Sequence, residues 1–249
     1  MIVYPNAKIN IGLNVLNKRE DCYHELSSVF YPVSELYDIL EIIISDDFSF
    51  SSSGFSIPGN SNICTRAFDL LKADYDVGNV KIHLHKMIPI GAGLGGGSAD
   101  GAFILKAMNE LFELNLTNNQ LEKYALKLGA DCPFFIENTP KYVTGIGEQM
   151  TAIDLDLSDY DIKFIFPELH ISTTEAYGSI IPKKQKINLL DLISKPIINW
   201  KAEVRNDFEF SAFKKHPELL KMKENLYADG AIYASMTGSG SVIYGVLIK

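Results

Sequence analysis

Apolar positions in the first fifty residues fall in alternating or β-branched runs, which predict strands at residues 8–15, 28–32 and 40–45. A stretch of Ser, Gly, Pro and Asn over 51–61 predicts a loop, after which Asn60 or Ser61 can cap a helix through Ala67 to about residue 73. Alternation returns at 80–85 until Pro89 breaks it, and residues 98–112 then read as a helix with Ile104, Ala107, Met108 and Leu111 on one face. In the next helix Thr117 and Gln120 form a capping box, Leu116 and Leu121 stand where a hydrophobic staple would, and Gly129 is placed to end it. Residues 141–144 predict a strand. The polar segment 152–160, with Asp154, Asp156, Ser158 and Asp159, marks a boundary between a first domain over 1–157 and a second over 158–249. Beyond it, 163–166 predicts a strand and 173–181 a helix. Another helix opens at Pro217, in the N1 position that proline favours, and stops at Gly230; 242–248 closes as an apolar strand. There is no repeat and no regular βαβ rhythm, so the fold class is α+β.

Composition narrows the function. A chain of 249 residues, 47% hydrophobic and 22% charged, has the core of one or two globular domains. Its net charge of −8 makes it a poor binder of nucleic acid or anionic membranes, and leaves room for an anionic small ligand only where donors are focused locally. Cys22, Cys64 and Cys132 are too few and too scattered for a disulfide framework or a CxxC metal site, and are expected as reduced, buried or half-buried thiols. The opening residues lack a secretory signal, and no apolar run reaches the roughly 18 residues of a membrane span, so the cytoplasm is the expected compartment.

The chemistry concentrates at Pro89, Ile90, Gly91, Ala92, Gly93, Leu94, Gly95, Gly96, Gly97, Ser98 and Ala99. Five glycines in the seven positions 91–97 contribute no side chains to a core. They allow a backbone to fold closely round an anion, and the helix that follows directs its unpaired N–H groups and positive end at the same place, with Ser98 adding a hydroxyl. A triphosphate is the natural guest. Gly91, Gly93 and Gly96 satisfy G-x-G-x-x-G, but the acidic residues about 20 positions on, Glu110 and Glu113, fall in or just after the helix rather than at the end of a second strand. No Lys-Ser/Thr follows the glycines, and the H-R-D and D-F-G sequences of protein kinases are missing.

The pattern P-x-x-x-G-L-G-G-G-S-A-D resembles the phosphate loop of the GHMP small-molecule kinases, named for galactokinase, homoserine, mevalonate and phosphomevalonate kinases. Residues 5–13 (PNAKINIGL) and 237–241 (TGSGS) are similar to that family's N- and C-terminal motifs. Residues 19–26 (REDCYHEL), 128–135 (LGADCPFF), 145–148 (GIGE) and 206–209 (NDFE) resemble the branch acting on a cytidine-diphosphate-linked methylerythritol, with Cys22 and Ala99 as departures from the usual Gly and Ser.

The resemblance implies a two-domain α+β fold, with an N-terminal domain like domain 2 of ribosomal protein S5 and a ferredoxin-like C-terminal domain. It implies ATP with Mg²⁺ as co-substrate, and a small-molecule acceptor whose 2-hydroxyl is phosphorylated. Lys8 and Asp131 fall at the family's catalytic positions. Asn62 and Lys86 fall beside the adenosine pocket, Asn10, Gly238 and Ser239 at substrate contacts, and Tyr23, His24 and Tyr177 at the cytidine end. A pyrimidine offers a π-face and a polar edge, which suits an aromatic beside a polar pair. Metal ligands are not legible; His83 and His85 have no third partner and read as surface residues. Another GHMP kinase, of homoserine or mevalonate type, remains an alternative, as do a catalytically silent nucleotide-binding module and a nicotinamide-binding oxidoreductase.

Overall fold

The alternating segments of the sequence form strands in the computed structural model, which describes residues 1–58, 62–183, 185 and 187–249. In chain order come β1 (Ile2–Val3), β2 (Asn6–Lys18), β3 (His24–Tyr37), β4 (Ile39–Ser45), β5 (Ser49–Gly54), α1 (Ile63–Asp74) and β6 (Asn79–Lys86). Then follow α2 (Gly96–Leu111), α3 (Asn118–Leu128), α4 (Phe134–Glu137), β7 (Lys141–Thr144), β8 (Gln149–Ala152) and β9 (Tyr160–Ile165). The rest is α5 (Thr173–Gly178), α6 (Leu189–Ile193), α7 (Trp200–Glu203), α8 (Phe208–Lys215), α9 (Pro217–Ala228), β10 (Tyr233–Met236) and β11 (Ile243–Ile248). The mixture is α+β, as expected.

Two units are formed, each from three stretches of chain. The first comprises Met1–Lys8, Pro32–Ile90 and Gly95–Thr139; the second comprises Ile9–Tyr31, Gly91–Leu94 and Pro140–Lys249. In the first, a sheet ordered β1-β4-β6-β5 pairs β4 antiparallel and β5 parallel to β6. Alternation buries one side of it, with Leu40, Ile42, Val80, Ile82 and Leu84 turned inward. Helices α1, α2 and α3 complete this core through Phe68, Leu71, Ile104, Met108, Leu121 and Ala125. The second unit contains the antiparallel sheet β10-β11-β9 and the pairing of β3 with β7, in which Val29 faces Tyr142. Its core joins Leu13 and Val15 of β2 to Phe208, Leu219, Leu226, Met236 and Ile243.

The capping box at Thr117 and Gln120 is formed in both directions, Leu116 and Leu121 are buried, and Pro217 starts α9. Asn62, not its neighbours, caps α1 by accepting from Cys64 N; Asn60 and Ser61 lie outside the described residues. Over residues 51–54 the expected loop is replaced by β5: its serines show no apolar alternation, yet the backbone pairs in parallel with β6, Ser51 opposite His83. His83 and His85 are accordingly half-buried and hydrogen-bonded to Ser51 and Ser53. The helix expected over 173–181 ends at Gly178, and β8, β10 and α6 to α8 were not anticipated. Cys64 and Cys132 are buried, but Cys22 is exposed. Among the described residues no helix is long and apolar enough to cross a membrane.

Candidate active site

Gly95 is the N-cap of α2 at φ 71°, with no side chain to cap the helix, so the first-turn N–H groups are left for another acceptor. A Cβ at Gly95 would stand 3.0 Å from both Lys8 Cγ and Phe135 Cζ, which together with the left-handed φ favours glycine there. Within the second unit, a Cβ at Gly93, at φ +80°, would lie 2.1 Å from the Thr237 carbonyl oxygen. The Thr237 hydroxyl donates to Gly93 O at 3.0 Å and accepts from Asn10 N at 3.1 Å, fixing the two Gly-rich segments against each other.

The expected catalytic pair is assembled in the first unit. Lys8 Nζ lies 3.5 Å from Asp131 Oδ2; the lysine side chain is 4% exposed and the aspartate 35%. Burial holds the Lys8 ammonium below its ordinary pKa, and the attraction of Asp131 restores part of the loss. Asp131 follows the end of α3, where Arg66 Nη2 donates to the carbonyls of Lys127 and Leu128. Burial pushes the neighbouring Cys132 thiol up to about 11, against a hydrogen bond from Ser98. A partly exposed carboxylate backed by a buried ammonium can orient a hydroxyl and take its proton.

In the second unit His24 stacks on Tyr177, with centroids 5.0 Å apart and planes 28° apart. Tyr177 in turn meets Phe208 edge-on at 4.9 Å. Tyr23 is 60% exposed, and burial lowers the pKa of His24. Cys22 takes φ 68°, a left-handed conformation that glycine would adopt without strain. Residues 206–209, quoted in the sequence without a role, organise this unit. Asn206 Nδ2 donates to Met236 O and Gly238 O, both at 2.8 Å, while Asp207 Oδ2 accepts from Val15 N. Glu209 accepts from Met236 N, Ser235 and Lys223. Gly238 and Ser239 thus sit on a turn held from behind by Asn206.

Two of the candidate contact residues are engaged within the protein. Asn10 is buried, its Nδ2 donating to Ser28 Oγ at 2.8 Å while Tyr244 Oη donates to its carbonyl, so that its side chain braces β2. Lys86 is also buried, its Nζ lying 2.5 Å from Asp38 Oδ2 and 2.6 Å from Asp100 Oδ2. Burial works against the Lys86 charge, but Asp100 and Asp38 overcome it and raise the pKa. Burial, opposed by Lys86 and reinforced by Asp38, pushes Asp100 up to about 8. Asn62 is half-exposed and spends its Oδ1 on the cap of α1.

The sequence matches the GHMP kinases N terminal domain over residues 62–138 and the GHMP kinases C terminal domain over 191–248. Those matches and the α+β architecture define the class, a GHMP kinase. Among its relatives, the 4-diphosphocytidyl-2-C-methyl-D-erythritol kinase of Bacteroides thetaiotaomicron is 47% identical over 99% of this chain and 92% of that protein. The kinase of the same name from Parabacteroides distasonis is 45% identical over 100% and 92%. A crystal structure of 4-(cytidine 5'-diphospho)-2C-methyl-D-erythritol kinase superposes with a TM-score of 0.86 at 32% identity, over 99% of this chain and 90% of that one. The chain belongs to the 4-diphosphocytidyl-2-C-methyl-D-erythritol kinase family. Homoserine kinase from Cytophaga hutchinsonii, at 16% identity and a TM-score of 0.73, shares the fold.

Proposed function

We propose that this kinase transfers the γ-phosphoryl group of ATP to the 2-hydroxyl of 4-diphosphocytidyl-2-C-methyl-D-erythritol, giving ADP and the 2-phosphate, in non-mevalonate isoprenoid precursor synthesis in the cytoplasm. The observation that carries this reading is the Asp131 carboxylate, partly exposed and 3.5 Å from the buried Lys8 ammonium. Asp131 orients the hydroxyl and accepts its proton, and Lys8 offsets charge on the transferring group. The tertiary acceptor is hindered and weakly acidic, so positioning contributes more than base strength.

Residues 89–99 hold the phosphates through backbone N–H groups and the start of α2. Asn62 adjoins the adenosine, Gly238 and Ser239 contact the acceptor, and Tyr23, His24 and Tyr177 take the cytosine. Asn10 and Lys86 act from behind, as supports. By function, residues 1–157 form the ATP-binding part and 158–249 the C-terminal part. No group of three His, Cys, Asp or Glu among the described residues could hold a metal. Mg²⁺ would enter with the ATP phosphates, its usual mode, and neutralise their charge. Incubation with ATP, Mg²⁺ and the cytidyl substrate should yield the 2-phosphate, whereas free methylerythritol, homoserine and mevalonate should not be phosphorylated. Turnover of homoserine or mevalonate in preference to the cytidyl substrate would overturn the reading.

A further inference from the structure

We propose that Asp38, Lys86 and Asp100 form a buckle that fixes the entry and exit of the glycine loop relative to each other, making them positioning residues for ATP. This rests on the reading of residues 89–99 as the ATP site. Asp38, the single residue between β3 and β4, accepts on Oδ1 from Met87 N at 2.6 Å and Ile88 N at 2.8 Å, the two residues that lead into Pro89. Its Oδ2 holds Lys86 Nζ, and the same Nζ holds Asp100 in the first turns of α2. One ammonium therefore ties the strand that enters the loop to the helix that leaves it. The loop also packs on this ammonium: a Cβ at Gly96 would lie 3.0 Å from Lys86 Nζ and 2.8 Å from Ile88 Cγ2.

All three side chains are 2% exposed or less. Asp100 Oδ1 is buried with no hydrogen-bond partner among the described residues. A buried ionic cluster is a poor source of stability, because desolvation offsets the attraction, and well-packed apolar side chains would serve a core as well. What the cluster supplies is a fixed geometry at the base of the loop, where a small displacement misdirects several N–H groups at once. The signal in the sequence is that Asp100 falls at i, i+4 and i+7 spacing with Ile104 and Ala107, a charge on the apolar stripe of α2.

The test compares Asp100→Leu, Asp100→Asn and Asp38→Asn with wild type in steady-state kinetics, ATP calorimetry and thermal melting. Asp100→Leu should raise KM for ATP about tenfold or more, with KM for the cytidyl substrate and kcat at saturating ATP within about threefold. Asp100→Asn keeps an acceptor for Lys86 and should recover most of that loss. If Asp100→Leu does not fold, Asp38→Asn, which weakens the hold on Lys86 while keeping the acceptor for Met87 and Ile88, should still raise KM for ATP roughly threefold or more. Leu226→Ala, a cavity in the core of the second unit, should lower the melting temperature without moving KM for ATP. An ATP KM within about twofold of wild type in the folded Asp100 and Asp38 variants would overturn the proposal. So would a joint shift of both KM values and kcat that tracks lost stability. Failure of wild type to bind ATP would instead overturn the phosphate-loop reading beneath it.

Discussion

Gly93→Ala tests the crossing of the two Gly-rich segments. The added Cβ would start 2.1 Å from Thr237 O, so the two backbones must separate by more than about 1 Å to reach ordinary contact. Either the Thr237 turn or the glycine loop has to yield. Moving the turn endangers the hydrogen bonds Asn10 N to Thr237 Oγ1, Thr237 Oγ1 to Gly93 O and Asn206 Nδ2 to Gly238 O, at about 1 kcal/mol each, or about 3 kcal/mol in all. Keeping the loop in place would also hold an alanine at φ +80°, about 1–2 kcal/mol of left-handed strain on top of those bonds, whereas moving the loop relieves that strain and gives up one bond. The loop yields. Its N–H groups then no longer converge, and ATP affinity should fall by about 10- to 100-fold, equivalent to roughly 1.4–2.8 kcal/mol. Calorimetric titration with ATP reads this directly, with circular dichroism to confirm folding. Gly78→Ala, whose methyl would meet Phe112 at 3.4 Å, controls for loss of a glycine as such. A folded Gly93→Ala protein binding ATP within about threefold of wild type would refute the reasoning.

Asp131→Asn should bind ATP normally and lose turnover by a factor on the order of 10² or more, measured by product formation at saturating substrates; turnover within about threefold of wild type would remove Asp131 from acid–base work. Tyr177→Leu should weaken the cytidyl substrate about 5- to 150-fold in a binding titration while sparing ATP, since base stacking on an aromatic contributes roughly 1–3 kcal/mol; unchanged affinity would make Tyr177 a packing residue under His24. Asp100, raised to about 8 by burial and facing Lys86, Asp38 and Cys64, holds a proton that the unfolded chain releases near 3.8. Stability should therefore fall as pH rises between those values, by up to about 1.4 kcal/mol per pH unit, and level off above them. Asp100→Asn removes this slope, so urea-unfolding curves at pH 5 and pH 7 that shift equally in both proteins would contradict it.

The sequence revealed elements whose signals are local. The capping box of α3 needs only Thr117 and Gln120, the proline start of α9 only Pro217, and β4 and β6 show their alternation directly. The glycine loop was legible for the same reason. β5 was not, because a serine-rich strand carries no hydrophobic period and exists through its pairing with β6. The supports of the site were hidden by distance along the chain: Asp38 meets Lys86 across 48 positions, and Asn206 meets Gly238 across 32. That the side chains of Lys86 and Asn10 turn inward is visible only in the packing. Asp131 and Lys8, also far apart in sequence, were anticipated through the resemblance, since neither residue type is distinctive where it stands.

The order of synthesis meets an obstacle in β2. Ile9, Ile11, Leu13 and Val15 emerge from the ribosome long before residues 205–244 and are all but fully buried in the finished protein. The groups that secure them come late: Leu13 N–H donates to Arg205 O, Val15 N–H to Asp207, and the backbone of Asn10 bonds to Thr237 and Tyr244, the last of these across 234 positions. An apolar strand thus stays without its partners while all the intervening chain is made, in a protein whose closing contacts are of the slow, non-local kind. Nascent chains halted anywhere short of residue 244 should accordingly be clients of holding chaperones, and the strand that carries Lys8 into the site is also the one most exposed to misassembly.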